Sequence, residues 1–357
     1  MPDSGSPDSG EPFDAGIDAG VDAGTDSGVA DAGFDAGFDA GIDAGIDAGS
    51  DAGPEMDAGI DAGAGRTIYV ITGQDQRRMI SFDGTTWEHD VYIAPNGLDD
   101  AFGAVAIGNR LIVITGDPGL WTSTDGINWT PSSITQSLHG SAMVYAGGYF
   151  VLVKSDFSMR SSDGLNWTTA MNNGNSGHWQ SIAYGNGHYV AFGDGHQKTS
   201  EDGLAWHDYT ATADPDPFEA VAFGNGVFVA VGKKNNMGRV ATSTDGVTFT
   251  DQTPIATSYM TGMAGITFGE GKFVTNDCCS SFESTDGVSW TKRGRGYGAG
   301  IVFAGGKFVA AGWRTEAYLY DDGTGAFSNT FGGDEPNLYE DGGIAPWFTG
   351  LGAGEIN

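Results

Sequence analysis

Basic residues are scarce: 16 Lys and Arg stand against 47 Asp and Glu, for a formal net charge of −31. A surface this acidic repels phosphate backbones and anionic membranes, and no basic cluster offsets it. Nucleic acid is excluded as a partner, whereas divalent cations and neutral ligands such as glycans remain allowed. Cysteine is nearly absent, and its two copies are adjacent, Cys278-Cys279. That spacing is not a zinc or C-x-x-C redox pattern. It leaves two readings: small residues in a loop, or a vicinal disulfide formed in an oxidising compartment. No run of 18 or more apolar residues occurs, which excludes a membrane-spanning helix of ordinary length. A start without an apolar leader fits an export signal already removed. Helical periodicity of useful length is missing. So are the nucleophile elbow, the phosphate loop, the dinucleotide fingerprint and H-E-x-x-H, which takes away the common routes to an enzyme assignment.

What is present falls into two regimes. Residues 1–65 are almost entirely Asp, Ala, Gly and Ser, with 14 Asp, 2 Glu and no Lys or Arg. From Asp14-Ala15-Gly16-Ile17 onward the unit Asp-Ala-Gly-x repeats with a period of mostly four, so a collagen helix is excluded. One Gly in four opposes helix, and one Asp in four makes the segment self-repelling. This sequence predicts a disordered, solvated linker that buries no core. Weak calcium binding by its spaced carboxylates is the alternative. Residues 66–357 carry Val, Ile, Phe, Tyr and Trp in short runs, with 31 acidic and 16 basic residues.

This second regime is built on one repeated stretch, Ser123-Thr124-Asp125-Gly126-Ile127-Asn128-Trp129. Related copies hold Asp83 with Trp87, Asp163 with Trp167, Asp202 with Trp206, Asp245 with Phe249, and Asp286 with Trp290. A degenerate seventh, Asp322-Gly323-Thr324-Gly325-Ala326-Phe327, closes a series spaced by 36 to 43 residues. Asp-Gly between β-rich runs is a tight-hairpin signal, because Gly takes the positive φ that the turn needs. The Asp carboxylate and Ser hydroxyl can accept backbone N–H groups of the same turn. The aromatic on the returning strand can fill the space between sheets. The boxes are therefore read as structural staples. Between them recur an apolar run ending in a Gly-rich turn, such as Ala220-Val221-Ala222-Phe223-Gly224-Asn225-Gly226, and a second run such as Val227-Phe228-Val229-Ala230-Val231.

Four strands in about 40 residues is the repeat of a β-propeller blade. The prediction is an all-β, seven-bladed β-propeller with four antiparallel strands per blade. The first unit, Thr67-Ile68-Tyr69-Val70-Ile71-Thr72, starts at a second strand. Trp347–Gly354 supplies the missing first strand and closes the ring, leaving no open sheet edge.

The boxes resemble the Asp-box of BNR and sialidase-like propellers, S-x-D-x-G-x-x-W, here without the residue between Asp and Gly. The resemblance implies box turns between the third and fourth strands, away from the ligand face. The family includes sialidases, other glycosidases, assembly factors and binding proteins. Sialidases clamp the substrate carboxylate with three arginines and use six blades. Arg77, Arg110, Arg160, Arg239 and Arg314 occur without a motif that groups them, so no sialidase residue is carried over. The tail resembles the Asp-Ala-Gly linkers of myxobacterial surface lipoproteins, in which a lipidated cysteine precedes the linker. That implies a secreted or outer-surface bacterial location, with a possible lipid anchor at a cysteine absent from this sequence.

The loops opposite the boxes differ from blade to blade, which is where one chain can place a special function. His178, Trp179, Asp194, His196, Phe218, Tyr297, Trp313 and Arg314 are the candidate ligand-binding residues. Phe102, Trp179, Phe218 and Phe348 share one repeat position and either line a funnel or pack the blade starts. Asp75, Asp117, Asp156, Asp194 and Asp277 recur after the second strand and either face a shared calcium ion or sit as solvated turn residues. Calcium is thus the one cofactor left open. The expected protein is a monomeric binding protein for a glycan or a surface protein. A glycoside hydrolase or lyase using Asp156, Asp194 or Glu316 is the alternative.

Overall fold

The structure is a computed structural model that describes residues 65–91, 102–138, 140–171, 178–209, 214–235, 237–252, 263, 265–297, 300–312, 316–332 and 348–357. Apart from Gly65, the acidic segment over residues 1–65 lies outside the described residues. The described residues form 28 strands in seven four-stranded antiparallel sheets, with no helix among them. The innermost strands are Phe348–Ile356, Val105–Gly108, Ala142–Ala146, Ser181–Gly185, Phe218–Gly224, Gly265–Gly269 and Gly300–Ala304. Each packs beside the next, and the seventh packs beside the first. The sheets therefore form a closed ring, the seven-bladed propeller that the repeat predicts.

Closure uses both ends of the domain. Strand Phe348–Ile356 pairs with Arg66–Gly73, Tyr69 opposite Ala353 and Ile71 opposite Leu351. The last strand in sequence is thus the innermost strand of the first blade, and no open edge is left at the seam.

Burial follows from position in the blade. Second strands have a neighbouring sheet on each face, so Phe150, Val151, Leu152 and Val153 are all fully buried. Each such side chain contributes about 1.5–3 kcal/mol relative to exposure. Fourth strands lie at the rim, and Glu88–Val91 is exposed along its whole length.

The box turns join third and fourth strands. In the second blade Ser123 Oγ donates to Asp125 Oδ1 at 2.9 Å, and Gly126 N–H donates to Ser123 Oγ at 2.8 Å. Asp125 Oδ1 also accepts Ile127 N–H and Asn128 N–H, each at 2.8 Å. Asp163, Asp202, Asp245 and Asp286 accept the same pair of N–H groups within 2.7–2.9 Å. Burial pushes the Asp125 carboxyl up, but the Asn128 side chain and the two N–H groups outweigh it and hold the pKa down to about 2. The indole N–H of Trp129, Trp167, Trp206 and Trp290 donates to the carbonyl of its own box glycine at 2.9–3.2 Å. Trp87 instead donates to Thr330 Oγ1 at 3.2 Å.

Glycine is required in these turns twice over. Gly126 has a φ of 76°, and a Cβ there would sit 2.8 Å from Ile68 Cδ1 and 2.9 Å from Ile80 Cγ2 of the preceding blade. Asn186 and Asn225, at the turns between first and second strands, stitch the ring further. Each donates to the next box, at Thr244 O and Thr285 O, both 2.9 Å.

The seventh turn corrects the sequence alignment. Asp321, not Asp322, accepts a turn N–H, that of Thr324 at 3.0 Å. The positive φ falls on Gly325 (68°) rather than Gly323. Tyr320 stands where the other blades have Ser, and its hydroxyl donates to Glu283 at 2.7 Å rather than bonding within the turn. Asp322 turns to Lys272 at 2.6 Å, within a network in which Lys272, Arg293 and Tyr320 converge on Glu283.

Candidate functional site

The innermost strands enclose a central channel with a cavity of about 810 Å³. Its lining changes along its length. Gln180 and Glu219, with Ser141, stand where the chain enters the innermost strands. Tyr145, Tyr184, Phe223 and Phe268 stand near the opposite end, beside the turns into the second strands. Those four rings form a girdle. Each packs on the second-strand aromatic of its own blade, as Phe223 does on Phe228 at 4.7 Å between centroids. Each also lies over the chain of the preceding blade, where Gly108, Gly185 and Gly224 leave room for Tyr145, Phe223 and Phe268. A Cβ at those glycines would overlap the ring.

Glu219 is the single carboxyl in the described lining, and no Lys or Arg is present there. Burial raises its pKa, partly opposed by the charge of Lys233. No hydrogen bond or ion pair reaches its carboxyl from the described residues.

The candidate ligand residues fall in several places. His178 lines the channel, with its imidazole side chain 65% exposed. Its main-chain N–H donates to Asp194 Oδ2 at 2.7 Å, and its Nδ1 lies 3.9 Å from the same oxygen. Asp194 and Gly195 both have positive φ, 45° and 79°, the twist of a tight hairpin turn, and His196 follows on the returning strand. His178, Asp194 and His196 thus share the loop end of the fourth blade.

Trp179 and Phe218 are only 3% and 9% exposed, so they act first as packing at the blade starts. Phe218 lies under the Arg239 guanidinium, 4.0 Å from the ring centroid. Tyr297, on the seventh blade, stacks on Tyr318 at 3.9 Å and stands apart from the fourth-blade group. Trp313 and Arg314 lie outside the described residues, as does the side chain of Phe348.

Asp117 accepts Ser137 Oγ at 3.0 Å, and Asp277 accepts Cys279 N–H at 2.8 Å and Ser280 N–H at 2.6 Å. Among the described residues no group of three or more His, Cys, Asp or Glu converges as metal ligands. Asp156, Asp194 and Glu316 are absent from the channel lining, and the Glu316 carboxylate accepts Tyr318 OH. Cys278 and Cys279 form a vicinal disulfide in the loop after the second strand of the sixth blade.

Two features escaped the sequence reading. Lys198 is 1% exposed, its Nζ has no hydrogen-bond partner among the described residues, and it lies 4.7 Å from the Trp179 ring centroid. Two residues before the box Ser, the other blades hold Met79, Trp121, Met159, Ala241 and Phe282. A column-by-column alignment of the repeat exposes the lysine as the exception. The aromatic girdle is legible in the same way, as Tyr145, Tyr184, Phe223, Phe268 and Phe303 recur one residue before the end of the innermost strand.

No family model and no curated protein matches the sequence. Solved structures do match in fold. YCF48 bound to D1 peptide superposes with a TM-score of 0.53 at 18% identity, covering 71% of this chain and 85% of that one. A streptogramin B lyase gives a TM-score of 0.54 at 8% identity, covering 64% and 82%. An inactive virginiamycin B lyase from Staphylococcus aureus with quinupristin gives 0.54 at 12%, covering 66% and 85%. At these identities the likeness is one of propeller fold.

Proposed function

We propose that this chain is a binding protein carried outside the cell, which meets a glycan or a surface protein through the loops opposite the box turns. The observation that carries this reading is the contrast between the two ends of the propeller. Box turns repeat the same Asp and Ser hydrogen bonds in six blades. The opposite loops present a different set of side chains in each blade, His178, Asp194 and His196 together on one of them. A shared scaffold with one varied end is the arrangement of a recognition module. The vicinal disulfide supports an oxidising, extracytoplasmic location. Residues 1–65 then serve as an acidic linker, with a lipid anchor beyond it, and the propeller acts as a monomer. Calcium, if used, would sit among the loop aspartates. The propeller bound to a peptide shows that such a ring can seat a partner, without fixing the partner here.

A glycan array and a surface-protein pull-down with the full chain test the proposal. A partner should appear in one of them, and the double substitution Asp194→Ala, His196→Ala should weaken it at least tenfold. Two blank screens, or binding indifferent to the double substitution, would remove the loop-face reading. A lyase or hydrolase reading keeps one supporting feature, the raised pKa of Glu219 beside a channel-lining histidine. A two-carboxylate hydrolysis needs a second carboxyl within about 5–10 Å, and the described lining offers none.

A further inference from the structure

We propose that the central channel is a binding site for a small organic cation, an amine with an apolar body, whose ammonium pairs with Glu219 and whose body lies against the aromatic girdle. This does not rest on the loop-face reading, since the residues involved belong to the innermost strands. The cavity of about 810 Å³ is within the size range of small-molecule sites. Its described lining mixes polar and apolar surface and holds one charged group, Glu219.

Glu219 is partly buried in the channel wall and has no hydrogen bond or ion pair from the described residues. A partly desolvated carboxylate without a partner gains from a ligand that brings a cationic donor. Lys233 acts on it as a charge at a distance, and His178, the other ionisable group near that end, has its main-chain N–H on Asp194 Oδ2 and its Nδ1 3.9 Å from the same oxygen. No Lys or Arg in the described lining competes for the carboxylate. The 31 acidic against 16 basic residues of 66–357 raise the local concentration of any cation near the ring.

The opposite end supplies the second half of the recognition. Tyr184 and Phe223 are partly exposed to the channel, and Tyr145 and Phe268 complete the girdle on either side. Aromatic faces attract cations and pack well against methylene chains. Glu219 and Phe223 lie four residues apart on one strand, with the ladder register shifted at Glu219, so they are separated by at most about 13 Å at the rise of a β-strand. An alkylamine of six carbons fits within that length, with its nitrogen at the carboxylate and its tail among the rings. Anionic ligands are disfavoured, and neutral alcohols of the same shape lose the ion pair.

The test is calorimetric titration of the full chain with hexylamine, hexan-1-ol as the neutral isostere, and Glu219→Gln as the variant. Hexylamine should bind at least tenfold more tightly than hexan-1-ol, and Glu219→Gln should erase that preference. Phe223→Leu, which keeps an apolar side chain but removes the ring, should weaken hexylamine severalfold in a protein whose thermal unfolding is cooperative. Equal binding of amine and alcohol, equal binding by wild type and Glu219→Gln, or no heat at millimolar amine would overturn the proposal. None of these results bears on the array and pull-down, so the two readings fail separately.

Discussion

Lys198 offers a sharp perturbation. Its ammonium is buried in a slot that five other blades fill with Met79, Trp121, Met159, Ala241 and Phe282, and it lacks any hydrogen-bond partner among the described residues. Leaving a buried donor unsatisfied costs about 1–3 kcal/mol. The contact with the Trp179 ring at 4.7 Å returns part of that, about 0.5–2 kcal/mol. Lys198→Met removes the charge, keeps the length of the side chain and copies the third blade. The expected gain is about 1 kcal/mol, or about 2–4 °C in Tm for a domain of this size.

The pH dependence is a second handle on the same change. Burial lowers the Lys198 pKa from its ordinary 10.5, with Asp208 pulling it partly back. Because the folded value lies below the unfolded one, the unfolded chain holds more protons between the two, and wild-type stability rises there with pH. The advantage of Lys198→Met should be full below the lowered pKa and shrink as pH climbs toward 10.5. Calorimetric melts at pH 7 and pH 10 read both effects, and other alkaline titrations cancel in the difference. A variant less stable than wild type at pH 7, or an advantage unchanged at pH 10, would refute the reasoning.

Gly126→Ala should destabilise by about 2–4 kcal/mol, from a positive φ and a Cβ overlapping the first blade, while Gly148→Ala, with φ 82° and nothing within 4 Å, should cost only about 1 kcal/mol; urea midpoints of the two variants check the gap. The Asp125 carboxyl, held at about 2, adds stability that is complete above its ordinary 3.8 and is lost as pH falls through 2. The stability difference between wild type and Asp125→Asn should therefore narrow from pH 5 to pH 2 in acid–urea titrations.

The fold was legible because its signals are local and repeated. Asp-Gly turns, their Ser and Trp partners, and the orphan first and last strands together specify blade number and closure. The worn seventh box misled by one residue, since without a Ser at position 320 the turn slides to Asp321 and Gly325. The site was harder to see. Trp179 and Phe218 attract attention as aromatics in loops, yet each packs a blade start, and only burial distinguishes the two roles. Glu219 carries no motif, and its interest comes from a channel wall assembled from seven distant strands. Lys198 was visible only by comparing columns of the repeat.

Hydrogen exchange of the closing strand is the most direct measurement of the ring. Amides of Gly352 and Gly354, which face the first-blade second strand, should exchange as slowly as those of Val70 and Ile71, and removing residues 348–357 should make the Arg66–Gly73 amides exchange rapidly as well. Fast exchange at Gly352 and Gly354 in the intact chain, with Arg66–Gly73 still protected after the truncation, would contradict a propeller closed by its two ends.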